Sequence, residues 1–378
     1  MSAPVFNATD HAWMARALEL AERGRYTAHP NPRVGCVLVH DGELVGEGWH
    51  RLTGEPHAES HAIRIAGEWA RGSTAYITLE PCSHHGRTPP CADALLTAGI
   101  ARVVCAVGDP NPQVAGAGFA RLRAAGVRVE SGLLEQPARE LNAGFFKRMT
   151  AAVPRVTVKV AASLDGRVAL ANGASRWVTG PAARRDVHRL RAESGAVLTG
   201  IGTVLADDPR LDVRLDEPGT ESCAPMRVVL DSQLRMPAQA AMLSVAGPIA
   251  VFTVCEDPER RRVLEAAGAR VLVVPAAAGT RRVDLDAALR QLASDGVNDV
   301  FVEAGPRLSG ELLERGCVDR LIVYLAPHLL GARALSMLEL PAIAEMSRRF
   351  RLERQDVRVV GEDLRLELRP LGRGSESE

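Results

Sequence analysis

The chain is poor in aromatic residues, 4% of 378 positions, and has no charge excess, with Lys+Arg and Asp+Glu at 46 each. Proteins that grip single-stranded nucleic acid stack bases on aromatics along a basic groove. Neither ingredient is abundant here, since arginine is plentiful but scattered and matched by acids, so a nucleic-acid partner is not expected. No apolar run approaches the roughly 20 residues that cross a bilayer, so no membrane-spanning segment is expected either. Met1 to Asp10 lacks a basic stretch followed by an apolar one, and no signal peptide is apparent. Cysteine is scarce and odd in number, at seven. Cys36, Cys105, Cys223, Cys255 and Cys317 lie mostly in apolar runs and read as reduced, buried small residues, which makes the cytosol the expected compartment. There is no Gly/Ser-rich linker and no internal repeat.

What is present is enough for two cores. Hydrophobic residues make up 46% of a chain longer than a usual single domain. Both halves alternate strands with helices. In the first, Thr9 or Asp10 caps a helix to about Arg23. Val34 to Val39 reads as a strand, and Asp41-Gly42 turns it into a second at Leu44 to Gly48. A helix is expected from Pro56, then a strand at Thr74 to Leu79, a helix at Pro90 to Ala98 and a strand at Arg102 to Val107. A helix near Gly118 to Ala125, a strand at Val127 to Ser131 and one helix from Glu135 to Thr150 complete this half. The boundary falls near Ala151-Pro154, giving domains at 1–150 and 154–370. Residues 371–378 lack apolar anchors and are expected to be a disordered tail. The second half reads as eight strands, from Arg155 to Ala161 through to Asp363 to Leu368, with helices at 181–193, 258–267, 285–295 and 309–315. Gly200-Ile201-Gly202 follows one of these strands, but Leu205 stands where a dinucleotide fingerprint has its third glycine, so the signal alone is weak.

The most informative pattern is His57-Ala58-Glu59 followed by Pro81-Cys82 and Cys91. One imidazole and two thiolates hold Zn²⁺ and leave a fourth position open, as a catalytic site requires and a structural one does not. Zinc lowers the pKa of a bound water from about 15.7 to roughly 7, and Glu59 is placed to take a proton from it and pass it to a ring nitrogen and a departing ammonia. This is the signature of a zinc-dependent deaminase of amino-substituted rings. A closed structural site, with His84 or His85 as fourth ligand, would leave Glu59 without a role. His57 and His61 are four apart, but Glu59 does not directly follow His57, which rules out the H-E-x-x-H metalloprotease pattern. His11, His40 and His50 read as surface or packing histidines.

Further stretches carry a resemblance over essentially the whole chain. They are His29-Pro30-Asn31-Pro32-Arg33-Val34-Gly35-Cys36 and Pro81 to Cys91 in the first half. In the second they are Ala162-Ser163-Leu164-Asp165-Gly166-Arg167, Ser175-Arg176-Trp177-Val178-Thr179, Thr203 to Pro209 and Val302-Glu303-Ala304-Gly305. Together these resemble the bifunctional riboflavin-biosynthesis deaminase/reductases. The resemblance implies an α/β protein with a cytidine-deaminase-like three-layer domain followed by a dihydrofolate-reductase-like one. It implies zinc-dependent deamination of a diamino-ribosylamino-pyrimidinone phosphate, then NADPH-dependent reduction of the ribosyl group to ribityl. By similarity His57, Cys82 and Cys91 hold zinc, Glu59 moves protons and Asn31 grips the pyrimidine. Ala161, Trp177, Thr203, Asp207, Ser232 and the run Gly305, Pro306, Arg307, Leu308, Ser309, Gly310, Glu311 resemble NADPH contacts. Ser175, Arg191, Leu211, Arg214 and Glu303 resemble substrate contacts. A homo-oligomer is plausible for a two-domain enzyme of this kind.

The residue chemistry fits much of this. Arg191 and Arg214 are forked cations suited to a ribose phosphate, although Arg184, Arg185, Arg189 and Arg191 also read as a solvated helix face. Asp207, Lys159 and Glu303 are all conceivable acids for the reduction. Ala304 stands where many relatives have glycine, and a left-handed backbone there would be strained.

Overall fold

A computed structural model describes residues 5–83, 90–112, 114–220 and 223–373. The chain divides into two compact units at Val153/Pro154. The first holds α1 (Ala8–Glu22), β1 (Gly35–His40), β2 (Glu43–Trp49), α2 (Ala58–Ala66), β3 (Thr74–Ile77), α3 (Cys91–Ala98), β4 (Arg102–Cys105), α4 (Ala117–Ala124), β5 (Arg128–Ser131), α5 (Glu135–Leu141) and α6 (Ala143–Ala151). The cap of α1 is Asn7 rather than Thr9 or Asp10. Its side chain accepts from the Asp10 N–H while Asp10 accepts from the Asn7 N–H, a closed capping box. The Asp41-Gly42 turn joins β1 to β2, with both residues in the left-handed region (φ 49° and 85°) that such two-residue hairpins require.

The sheet runs β2-β1-β3-β4-β5, antiparallel at its β2-β1-β3 end and parallel through β3-β4-β5. Strand alternation sends Val37, Val39, Tyr76 and Val104 to one face, against α1, α5 and α6. Cys36, Leu38, Ala75, Ile77 and Val103 go to the other, against α2, α3 and α4. Three layers result. A Cβ on Gly48 would fall 2.5 Å from the Ala58 carbonyl, so its lack of a side chain lets the first turn of α2 lie directly on β2.

The single helix expected from Glu135 to Thr150 is in fact two, broken at Asn142 (φ −114°, ψ 25°). The Asn142 side chain is buried and spent elsewhere. It accepts from the Arg33 N–H and donates to the Arg33 carbonyl, both at 2.8 Å. Two long-range bonds outweigh one uninterrupted helix.

The second unit holds β6 (Arg155–Ser163), β7 (Arg167–Ala169), α7 (Pro181–Glu193), β8 (Ala196–Gly200), α8 (Ile201–Asp207), β9 (Met226–Leu230), β10 (Ile249–Thr253), α9 (Pro258–Ala266), β11 (Arg270–Val273), α10 (Leu285–Ser294), β12 (Asp299–Val302), α11 (Pro306–Glu314), β13 (Arg320–Ala326), β14 (Leu335–Ser336), β15 (Phe350–Val360) and β16 (Asp363–Arg373). Nine strands form one sheet, β11-β10-β9-β8-β12-β6-β13-β16-β15, parallel until β16 and β15. One face packs on α10 and α11, the other on α7, α8 and α9.

Four expectations are corrected here. α11 starts at Pro306, three residues before Ser309, because proline suits the first helical turn. β15 was not expected, since it is mostly solvent-facing and shows no apolar alternation; its backbone ladder to β16 holds it. Of the range 371–378 expected to be a disordered tail, residues 371–373 instead continue β16, with Arg373 opposite Phe350. A ladder needs no apolar anchor. The rest of that tail lies outside the described residues. The cysteines are free, but only Cys36 and Cys105 of the five expected to be buried are fully so; Cys223, Cys255 and Cys317 are half-buried.

Candidate active sites

The first site is built at the ends of β2 and β3. His57 caps α2, Cys91 opens α3, and Cys82 lies in the loop after β3. Their ligating atoms all lie within 4.8 Å of one another. His57 Nδ1 is 3.2 Å from Cys91 Sγ and 3.7 Å from Cys82 Sγ. Ligands on a tetrahedral zinc, at about 2.1–2.3 Å from the metal, stand roughly 3.6 Å apart. The donor set and its spacing therefore fit zinc. His84 and His85 lie outside the described residues, and among the described ones these three donors form the only such cluster.

The electrostatics suit a cation. The Cys82 thiolate accepts from the Cys91 thiol, which outweighs burial and, with His57, pushes it down to about 4. Cys91, donor in that exchange and buried, is pushed up. The Cys82 thiolate raises His57 against its burial. Glu59 is 3% exposed, and burial pushes its carboxyl up against the pull of His57. Its Oε2 is buried with no hydrogen-bond partner in the protein. A buried, unsatisfied carboxylate oxygen beside a metal-ligand set is poised to exchange a proton with something bound there.

His50 corrects an expectation. It is neither at the surface nor simple packing: its ring stands edge-on to His57 at 5.3 Å, and Asn31 Nδ2 donates to its Nε2 at 3.0 Å. Burial, with His57 nearby, lowers it to about 4, so it is neutral and able to accept. Its place just past β2, at the strand end where the ligands gather, is the sequence signal that could have identified it. His11 and His40 do lie away from the site, His11 against the Asn7 carbonyl and His40 edge-on to Trp69.

The second site is a cavity of about 1560 Å³ within the second unit, at the carboxyl ends of the parallel strands. Ala161, Trp177, Thr203, Asp207 and Ser232 line it, as do Gly305, Pro306, Arg307, Leu308 and Glu311. So do Ser175, Arg191, Leu211, Arg214 and Glu303. Ser309 and Gly310 do not. The Ser309 hydroxyl turns back to the Ala304 carbonyl, and Gly310 faces the backbone of Glu339, whose carbonyl lies 2.0 Å from where a Cβ would be. Gly200, Ile201 and Gly202 line the cavity where β8 passes into α8. Ala304 is not among the residues with left-handed backbone, so the strain considered above does not arise.

In the cavity wall Glu303 pairs with Arg191 and, at 3.2 Å, with Lys159. Burial would raise the Glu303 carboxyl, but Arg191 and Lys159 outweigh it and hold it at about 2. Arg191 also donates through Nη1 to the Asp212 carbonyl at 2.8 Å. Trp177 is exposed, with the Arg184 guanidinium 4.5 Å from its ring centre. At one end Val283 N–H donates to Ser232 Oγ at 3.0 Å, joining two segments that bring Arg235, Arg281 and Arg282 to the cavity wall.

Comparison with known proteins gives the same division. Residues 7–107 match the cytidine and deoxycytidylate deaminase zinc-binding region, and residues 154–366 match the RibD C-terminal domain. The chain is similar to the riboflavin biosynthesis protein RibD of Escherichia coli strain K12, at 50% identity, covering 95% of this chain and 99% of that protein. It is 39% identical to RibD of Aquifex aeolicus strain VF5, over 94% and 97%. Among solved structures, Acinetobacter baumannii RibD matches with a TM-score of 0.90 at 45% identity, covering 96% and 99%. A diaminohydroxyphosphoribosylaminopyrimidine deaminase/5-amino-6-(5-phosphoribosylamino)uracil reductase from Thermotoga maritima matches with a TM-score of 0.83 at 32% identity, covering 96% and 99%.

Proposed function

From a chain that belongs to the RibD family, the bifunctional deaminase/reductases of riboflavin biosynthesis, we propose the following assignment of chemistry to residues. The first unit removes the ring amino group of a diamino-ribosylamino-pyrimidinone 5′-phosphate. The second reduces the ribosyl group of that product to ribityl with NADPH. The observation that carries the reading is the convergence of His57, Cys82 and Cys91 beside Glu59, whose buried Oε2 has no hydrogen-bond partner.

His57, Cys82 and Cys91 hold the zinc, which supplies Lewis acidity that makes water a nucleophile at neutral pH. Glu59 takes the water's proton and delivers it first to the ring nitrogen and then to the departing ammonia. Its burial keeps those transfers from being short-circuited by solvent. Asn31, its amide N–H spent on His50, offers its carbonyl oxygen to the pyrimidine.

A nicotinamide cofactor held by the lining residues of the reductase cavity would supply the hydride for reduction at the anomeric carbon. A proton must reach the oxygen freed as the sugar ring opens. Lys159, held against Glu303, is positioned to donate it. Ser175 and Arg214 hold the substrate, with Arg191 supporting Glu303 and Leu211 forming the floor. Ala161, Trp177, Thr203, Asp207, Gly305, Pro306, Arg307, Leu308 and Glu311 hold the cofactor. NADPH rather than NADH is favoured by the charge at the Ser232 end. Arg235, Arg281 and Arg282 stand there, and Glu311 is already paired with Arg282 and Arg315. An arginine accommodates a 2′-phosphate, where a free carboxylate would select the 2′-hydroxyl. We place the enzyme in the cytosol, where the thiolates of the metal site stay reduced, and expect it to assemble as a homo-oligomer.

Purified protein given the pyrimidine phosphate and NADPH should release ammonia and consume nicotinamide absorbance in equal amounts. Neither signal from folded, zinc-loaded protein would overturn the reading.

A further inference from the structure

Glu80 takes no part in the chemistry above, yet it is 4% exposed and stands two residues before the ligand Cys82. Its carboxylate accepts four backbone N–H groups. Oε2 takes those of Asp109 at 3.2 Å and Gly116 at 3.0 Å. Oε1 takes those of Gly118 at 3.0 Å and Phe119 at 3.2 Å. A buried carboxylate persists only where its lone pairs are used, and here the protein uses them to tie the chain before Cys82 to the first turn of α4.

The neighbouring contacts extend the tie. The Pro81 carbonyl lies 2.0 Å from where a Cβ on Gly118 would be, so the segment touches α4 with no room to spare. The Glu80 N–H donates to the Val107 carbonyl at 3.0 Å. On the far side, Ala92 N–H donates to the Cys82 carbonyl at 3.1 Å and Cys91 N–H to Cys82 Sγ at 3.3 Å. Glu80 to Cys82 is thus gripped between the first turns of α3 and α4. Of the three ligands, Cys82 alone sits in a loop rather than at a helix start, and so depends on such a grip for its place.

We propose that Glu80 is a positioning residue for the metal centre: its four backbone bonds fix Cys82 Sγ relative to His57 and Cys91 and thereby set the affinity for zinc. The proposal rests on reading those three residues as zinc ligands. Outer-shell partners of ligands are worth 10–100-fold in metal affinity, and the coupling must run both ways.

Two measurements test it, one needing no variant. In the wild-type protein, removing zinc with a chelator should speed hydrogen exchange at the Gly116, Gly118 and Phe119 amides at least tenfold, with the Val158 amide of the second unit unchanged. Exchange at those three amides that ignores zinc overturns the proposal. Glu80→Gln keeps the side chain's size but turns a donor toward two N–H groups. It should weaken zinc binding 10–100-fold in chelator competition and shift the thiolate-to-metal charge-transfer bands of the cobalt-substituted protein. Gly118→Ala, which keeps Glu80 itself but puts a Cβ 2.0 Å from the Pro81 carbonyl and 3.3 Å from Glu80 Oε1, should do the same. Folded Glu80→Gln protein with wild-type zinc affinity and spectrum would mean that Glu80 only holds the fold. If Glu80→Gln does not fold, the wild-type exchange experiment decides alone. A wild-type protein that binds no zinc would instead sink the ligand assignment, a distinct result.

Discussion

The candidate metal site packs three donor atoms within 4.8 Å of one another, on two helix starts and one loop. The reductase cavity spreads its polar groups over about 1560 Å³ and draws them from strands, helices and loops across the second unit. In the small site residue identity is nearly the whole specification, because few side chains bind a metal and each has one task. In the large one the same residue types occur everywhere in the chain, and only their arrangement makes them functional. Arg191 shows the difference. Its sequence neighbours Arg184, Arg185 and Arg189 look equivalent, yet Arg191 is the one paired with the buried Glu303.

This contrast can be broken most sharply at Glu59. Glu59→Gln should cost deamination 10²–10⁴-fold while zinc content and reduction of supplied deaminated substrate stay whole. Parallel loss of both activities would mean that the two sites are not chemically separate. Glu303→Gln should do the converse, lowering reduction at least tenfold and leaving deamination intact. It should also destabilise the second unit by about 3–5 kcal/mol in urea titration, since Arg191 is left as an uncompensated buried charge.

The pH dependence of that second effect has a definite sign. Glu303 is held at about 2, below the ordinary carboxylate value near 4.3, so between those values the unfolded chain binds more protons than the folded one. The ion pairs' contribution is complete above the ordinary value and drains as pH falls toward 2. The stability gap between wild type and Glu303→Gln should therefore be full at pH 6 and narrower at pH 3; a constant gap would show that packing, not charge, sets it. The smallest effect is expected at the cavity's edge. Arg235→Ala and Arg281→Ala should each reduce the NADPH-over-NADH ratio of kcat/KM by about tenfold, or 1.4 kcal/mol, with the NADH value unchanged. Equal losses with both cofactors would remove these arginines from cofactor selection.

The comparison also explains which parts could be read from sequence. The β1-β2 hairpin was legible because Asp41-Gly42 is a local conformational requirement. The ligand spacing and the central strands were legible for equally local reasons. Asn142, His50 and Glu80 were not. Asn142 breaks a helix on behalf of Arg33, 109 positions away. His50 matters because Asn31 and His57 meet it, and Glu80 because the amides of Gly116, Gly118 and Phe119 converge on it. β15 was missed because an exposed edge strand draws its stability from a partner's backbone, which leaves no mark in side-chain hydropathy.

The amino-acid sequence alone determined the two α/β halves and singled out His57, Cys82, Cys91 and Glu59 as one candidate set, since these depend on periodicity and on side-chain chemistry. Tertiary structure decided that His50 meets His57 and Asn31, which arginine pairs with Glu303 and which amides converge on Glu80. Those outcomes depend on distances between residues far apart in the chain, and only packing brings such groups within hydrogen-bonding range.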